Sequence, residues 1–411
     1  MTSTPLSRIA TLAADTRVHR AFHWLHLHEL KLRQWQLEMI AIPAPPFAES
    51  ARAEWFLTRF SDLGLANIHL DELGNAVATL QPPGPQALNP GPCVLLSAHL
   101  DTVFPPGTDC TPSEDGPRIL APGACDNAAG LTALLGIAAA LQYAELRPAC
   151  PILFAANVGE EGPGDLRGMR HIFSGTHHIA AAIALEGSGN ATVVDRALGS
   201  RRFRITLTGP GGHSWADAAL PNPIFVLSEA LAAISRLELP TTPRTTLNCG
   251  TIFGGTSVNS IPESASADLD LRSVSADQLD VTEAQLLHTI RATVQATNPR
   301  NLLDLEIARI GNRPAAALPS DSPLLGSLRA VDRHLHIATE SRIGSTDANW
   351  PLSLGVPALA IGAGGSAGGI HTLHEWYDPT GRELALRRIL LHLLDACSLA
   401  AEGSSAFPRS S

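Results

Sequence analysis

Five short segments of the chain gather side chains that can bind cations or move protons. They are SAHLD (His99, Asp101), GACDNAAG (Asp126), NVGEEGPGD (Glu160, Glu161), ALEGSG (Glu186) and GGIHTLHEWYD (His371, His374, Glu375). Mixed imidazole and carboxylate donors suit zinc, or cobalt and manganese in the same site. The carboxylates outnumber what one tetrahedral zinc needs. A carboxylate bridging two ions about 3.5–4 Å apart would use the surplus. In the Glu160–Glu161 pair, one member can ligate while its neighbour stays free as a general base. Each segment alone has an ordinary explanation: a strand end, a helix N-cap at Asp126, a solvated acidic turn, a surface loop. It is the coincidence of five in this order that points to chemistry.

The elements that must position these residues read as alternating strands and helices. CVLLSAH is a buried strand, NAAGLTALLGIAAALQ a helix, and PILFAANV and AAIALEG are further strands. NIHLDELGNAVATL reads as a strand pair, and residues 20–64 as helix broken by the IPAPP turn. Alternation of this kind implies a mainly parallel α/β sheet, whose ligands bind at the carboxyl ends of the strands. There residues i and i+2 share a side, so His99 and Asp101 could face one site. Near residue 198 the rhythm changes to β-α-β-β-α-β, the order of a small split βαβ domain, and α/β character returns after GNRPAA. The expected organisation is therefore a catalytic domain in two parts, 1–197 and 310–411, interrupted by an inserted α+β domain at 198–309. The last ten or so residues, from about 402, are expected to be disordered.

Bulk properties exclude several functions. A net charge of −10 and no clustered basic patch argue against a nucleic-acid partner. The only lysine is Lys31, in a helical stretch, which removes Schiff-base chemistry and phosphate loops. No apolar run reaches membrane-spanning length, and the N-terminus lacks the apolar core of a signal peptide. The six cysteines form no CxxC pair and read as reduced thiols of a cytoplasmic protein. His23, His26 and His28 have helical spacing, yet surface or core roles account for them.

The motif set HLDTV, GACDNAAG, GEEG, ALEG, GPGGHS and HTLHE resembles the M20 family of dinuclear zinc peptidases and amidohydrolases, and the resemblance covers most of the chain. It implies a catalytic α/β domain with an inserted lid and dimerisation domain, and two zinc ions per chain. Carried over by position, His99 and Glu186 would bind one metal and Glu161 and His371 the other, with Asp126 bridging. Asp101 would orient His99, and Glu160 would be the general base and acid. His374 is expected to be a neighbour and not a ligand, and Cys125 a spectator. His213 in GPGGHSWAD would reach the partner subunit's site, and Asn259 and Arg272 would hold substrate, arginine suiting a planar carboxylate. The inserted strand RRFRITLTG, polar on alternate positions, is expected to pair with its copy in a homodimer.

The resulting expectation is a two-metal hydrolase cleaving an amide bond next to a free carboxylate in a short peptide. An amidohydrolase removing an acyl or carbamoyl group from an amino acid shares all of this chemistry. A catalytically inactive binding protein on the same fold would have lost Glu160 or a ligand, and neither is lost.

Overall fold

Strands whose every residue is apolar can survive only in the middle of a covered sheet, and that is where the chain puts them. In the computed structural model, which describes residues 4–84, 91–298 and 300–403, the chain divides into two compact units. One comprises Met1–Ala197 with Ala317–Ser411, the other Leu198–Ala316. The second boundary lies at 316 and not 309, because the last strand of the smaller unit runs Asp304–Arg313. Most of the tail expected to be disordered, from residue 404, lies outside the described residues.

The larger unit is built on a nine-stranded, mainly parallel sheet with helices. Its order is Ala66–Leu70, Ala76–Leu80, Ile152–Asn157, Cys93–His99, Ile179–Leu185, Ala358–Ile361, Thr192–Ala197 and Ala316–Ala317, with Glu340–Gly344 also pairing Thr192–Ala197. Cys93–His99 is buried throughout and has a parallel neighbour on each side, which aligns His99 with Asn157. The Ala128–Tyr143 helix is buried from Ala128 to Leu141, so its apolar surface runs all the way round. Beside it packs the Arg382–Ala401 helix, whose fully buried Arg388 is neutralised by Asp332 at 2.6 Å.

The smaller unit has the β-α-β-β-α-β order, folded as a four-stranded antiparallel sheet. Spatially it runs Thr245–Gly254, Ser264–Ser273, Gly199–Thr208, Asp304–Arg313. Helices Pro223–Ile234 and Ala276–Thr297 cover one face, where Phe203, Ile205, Leu227, Leu269, Leu286 and Ile290 form the core. The strand containing RRFRITLTG is interior, paired to Ser264–Ser273 on one side and Asp304–Arg313 on the other. It therefore has no free edge to offer a second copy, contrary to expectation. Its alternate polar positions instead carry cross-strand ion pairs on the helix-free face, Arg202 with Asp270 and Arg204 with Asp268. Polarity at every second position marks a wet face, not an unpaired edge.

Candidate metal centre

Within the larger unit the loops following three adjacent parallel strands converge. His99 ends its strand fully buried. Its Nδ1 lies 3.0 Å from the Asp101 carbonyl oxygen, which can only accept, so in the neutral ring Nδ1 carries the proton and Nε2 the lone pair. That Nε2 faces Asp126 Oδ1 at 3.1 Å and Glu186 Oε1 at 3.4 Å. His371, in the loop before Trp376–Asp378, sets its Nε2 3.0 Å from Asp126 Oδ2 and 3.3 Å from Glu161 Oε1. Asp126 thus turns one oxygen to each imidazole.

Three overlapping groups among the described residues could each hold a cation: His99–Asp126–Glu186, His99–Glu160–Glu161 and Asp126–Glu161–His371. In each, the donor atoms lie within 4.8 Å of one another. His99 Nε2, Asp126 Oδ1 and Glu186 Oε2 are buried without a hydrogen-bond partner, as atoms awaiting a common ligand would be. The donor chemistry and the orphaned atoms fit metal ions. Without them, protons must balance the carboxylates. Burial would lower the His99 pKa, but Glu186, Asp101 and Asp126 together hold it well above the ordinary value. Asp126 and Glu161 push His371 up to about 10. Burial, resisted by His99, raises Glu186 to about 7.

The supporting hydrogen bonds are as specific as the cluster. Asp126 does not cap the helix it precedes; Asn127 does, accepting the Gly130 N–H at 3.1 Å, which leaves the Asp126 carboxylate to the cluster. Asn127 also donates to the Leu185 carbonyl at 2.9 Å and accepts the Gly187 N–H at 3.2 Å, bracing the strand end that carries Glu186. The Asp101 carboxylate lies 3.6 Å from His99 Nδ1, and its closer partners are the backbone N–H groups of Glu160 and Glu161, at 2.9 and 2.7 Å. Asp101 therefore fixes the acidic pair as well as flanking the imidazole. The loop beyond is drawn tight: a Cβ on Gly164 would stand 2.5 Å from the Gly159 Cα, so only glycine fits there.

Sequence reasoning undervalued Glu375. It is buried, and its carboxylate accepts the N–H groups of Gly123, Cys125 and Asp126 at 3.1, 2.8 and 2.9 Å. It ties the Asp126 loop to the segment that carries His371. A glutamate directly preceding the short strand WYD was the available signal. His374 belongs to none of the three groups and lines a cavity of about 420 Å³ with Thr108 and Leu373. Cys125 is buried, which raises its thiol pKa, and it belongs to none of the groups either. His26 pairs with Glu383 and His28 stacks on Trp24.

In the smaller unit His213 and Asn259 are brought together, because the two-residue strand Gly212–His213 pairs with Ser260–Ile261. Both residues are exposed. The Trp215 N–H donates to His213 Nδ1 at 3.1 Å, so in the neutral ring the proton sits on Nε2, facing outward as a donor. Arg272 is elsewhere. Its Nε donates to Asp270 Oδ2 at 2.6 Å on the polar face, and its ladder partner is Ser200. Eight ladder positions separate it from Ser264, at the His213 end of the strand, or roughly 26 Å at ~3.3 Å per residue.

Comparison with known proteins bears on the fold and the family. A tripeptidase from Staphylococcus aureus superposes with a TM-score of 0.73 over 90% of this chain and 99% of its own, at 20% identity. A dinuclear metal binding M20 peptidase from Bacillus subtilis does so with a TM-score of 0.66, over 90% of this chain and 98% of its own, at 13% identity. These likenesses establish the fold: an α/β sheet unit interrupted by a smaller α+β unit. The family model for peptidase family M20/M25/M40 matches residues 95–394, and the chain belongs to that family. A probable carboxypeptidase from Ajellomyces dermatitidis is 29% identical over 212 residues, 45% of this chain and 46% of that protein. The match thus spans less than half the length of that curated relative. No helix among the described residues is long and apolar enough to cross a membrane.

Proposed function

We propose that the protein is a two-metal hydrolase cleaving an amide or peptide bond in a short peptide, or similar small substrate, that bears a free carboxylate. The observation carrying this reading is Asp126, with one oxygen against His99 and the other against His371, the disposition of a carboxylate shared by two cation sites. His99, Asp126 and Glu186 would hold one ion, and Asp126, Glu161 and His371 the other. Zinc suits the donors best, with cobalt or manganese accepted. When bound, such a pair polarises a carbonyl and makes water acidic enough to deprotonate near neutral pH.

The chain's own residues perform the remaining work. Glu160 takes a proton from the attacking water and returns it to the departing amine. Asp101 holds the Glu160–Glu161 backbone in place through two N–H groups. His213 offers its Nε2–H to the oxygen that becomes negative, Asn259 assists in binding, and Arg272 leaves Asp270 to clamp the substrate carboxylate. The separation of Arg272 from the His213 end of its strand supports a homodimer, because two copies could present the two ends of this unit to one site. The free edges of the sheet are Thr245–Gly254 and Asp304–Arg313. The former exposes Ile252 (55%) and Phe253 (62%), and we assign it to the subunit contact. All six cysteines are unpaired, as suits the reducing cytoplasm.

The decisive experiment is a screen of protein loaded with zinc, cobalt or manganese against dipeptides, tripeptides and N-acyl or N-carbamoyl amino acids, before and after chelation. Turnover of free-carboxylate peptides that chelator abolishes and metal restores is the expected result. Turnover confined to N-acyl or N-carbamoyl amino acids would move the protein to the amidohydrolases. Tight metal binding with no turnover of any of them would make it a binding protein.

A further inference from the structure

We propose that Arg52 is a positioning residue of the metal centre: its buried guanidinium holds the Leu100 carbonyl, between His99 and Asp101, and so fixes the direction of both side chains. The inference rests on the two-metal reading above. Arg52 lies in the first turn of the helix Ser50–Asp62 and is 1% exposed. Its Nη1 donates to the Leu100 carbonyl at 2.7 Å, while Nε and Nη2 donate to the Ile42 carbonyl at 3.0 and 2.5 Å. Among the described residues no carboxylate bonds to it; its acceptors are backbone carbonyls. Burial pulls its pKa down to about 10, against the charges of Cys110 and Asp101, so it stays protonated near neutral pH. A cation buried on neutral acceptors is costly, and filling space alone would be met as well by an apolar side chain. The role of the charge is to be sought in what it holds.

Leu100 is the first residue beyond the strand Cys93–His99. Its N–H donates to the Asn157 carbonyl at 2.6 Å, and its own carbonyl turns to Arg52. Two residues on, the Thr102 N–H donates to the Ala44 carbonyl at 2.9 Å. Both neighbours of Asp101 are therefore pinned to the segment 42–52. Asp101 passes that constraint on: its carbonyl oxygen lies 3.0 Å from His99 Nδ1, and its carboxylate accepts the Glu160 and Glu161 N–H groups. The same helix start reaches the acidic pair from a second side. Buried Glu49, which precedes the helix, binds the Arg167 guanidinium at 2.5 Å. The Arg167 stem runs over Gly159, where a Cβ would be 2.6 Å from the Arg167 Cγ, and Gly159 immediately precedes Glu160. One helix start thus braces the loops of His99 and of Glu160.

The test titrates zinc, against a competing chelator, into the apoproteins of wild type, Arg52→Lys and Phe56→Leu, and records thermal unfolding of the same samples. Lysine keeps the charge, but one ammonium cannot replace a forked guanidinium at both carbonyls, and its shorter reach favours Ile42 over Leu100. Phe56, fully buried about one turn further along the same helix, controls for lost stability alone. Zinc affinity is expected to fall about tenfold in Arg52→Lys, the size of effect seen when a partner behind a metal ligand is lost. In Phe56→Leu a comparable lowering of Tm should leave zinc affinity within twofold of wild type. Three results would overturn the inference: zinc affinity of Arg52→Lys within twofold of wild type, an equal loss of affinity in Phe56→Leu, or an Arg52→Lys chain that does not fold. Each would make Arg52 a residue of stability alone. A wild type that binds no zinc would instead overturn the two-metal reading, and this inference with it.

Discussion

Glu375 provides the sharpest test of how the centre is held, because it touches neither a proposed ion nor a substrate. Its Oε1 accepts two N–H groups, from Cys125 and Asp126, and its Oε2 accepts one, from Gly123. In Glu375→Gln the best orientation keeps the amide oxygen on the pair. The NH₂ then meets the Gly123 N–H donor to donor. One buried N–H is left unsatisfied and two charge-assisted bonds become neutral, a loss of about 1–3 kcal/mol. Without metal the loop can relax and escape part of that cost, whereas metal binding requires Asp126 in place. Most of the loss should therefore appear in metal affinity, a weakening of about 10–100-fold. Calorimetric titration of the apoprotein with zinc against a competing chelator measures it, and urea unfolding of the apoprotein measures the remainder. Zinc affinities within twofold of wild type at both sites, with normal apoprotein stability, would refute the positioning role.

Three further outcomes follow from the same structure. Glu160→Gln should keep the fold and both metals while kcat falls at least 10²–10⁴-fold, because an amide cannot accept the proton of the attacking water; near-normal kcat would place the base elsewhere. His392 is fully buried, with Nδ1 3.1 Å from Ser327 Oγ, and burial together with Arg388 pushes its pKa down to about 3. It is neutral in the fold but titrates near 6.5 when unfolded, so its contribution is whole above that pH and is lost on acidification at up to ~1.4 kcal/mol per pH unit, until about pH 3. Urea unfolding of apoprotein between pH 6 and 4 should accordingly show a slope shallower by about one proton in His392→Gln than in wild type, and parallel slopes would refute this. For assembly, His213→Ala and Glu160→Ala should each be inactive yet complement on subunit exchange. Random mixing makes half the dimers hybrid, each with one intact site of two, so roughly a quarter of wild-type activity should return; no recovery after verified exchange would show that His213 does not serve a neighbouring site.

What was legible in the sequence depended on whether the signal was local. The apolar run before His99, the helix after Asp126 and the β-α-β-β-α-β order are written in contiguous periodicity, and each forms as read. His99, Glu161 and Glu186 follow parallel strands whose carboxyl ends meet along one line, whereas Asp126 and His371 sit in loops of other elements and entered the set through the resemblance to the M20 family. Edge and interior positions were not legible. Gly199–Thr208 has the alternating polarity of a half-wet strand whether or not it has two neighbours, and only the return of Asp304–Arg313 to its far side makes it interior. Short strands such as Thr192–Ala197 and Glu340–Gly344 also escaped, since their pairing is decided by tertiary contacts and not by propensity. Glu375 was hidden for a related reason: its partners are backbone N–H groups some 250 positions earlier, and backbone leaves no pattern in side-chain identity.

Charge balance joins these observations into one physical requirement. Asp101, Glu160, Glu161 and Glu375 are buried at the centre, with Asp126 and Glu186 only partly exposed, and the cationic groups that face them most directly are the imidazoles of His99 and His371. Two of the carboxylates are stabilised by backbone donors, Asp101 by two N–H groups and Glu375 by three. Those two need no cation, and neither belongs to a group that could hold one. The carboxylates that lack such donors, Asp126, Glu161 and Glu186, are the ones turned toward imidazole nitrogens. In that arrangement either protons or divalent ions must supply positive charge. Protons do so by placing hydrogen on the same Nε2 atoms that a metal would use, so the two compete. Of the six acids, Asp101 and Glu375 are held by backbone donors, and Asp126, Glu161 and Glu186 turn toward imidazoles. Glu160 joins His99 and Glu161 in the remaining candidate group, and Asp126 alone of the six lies against both imidazoles.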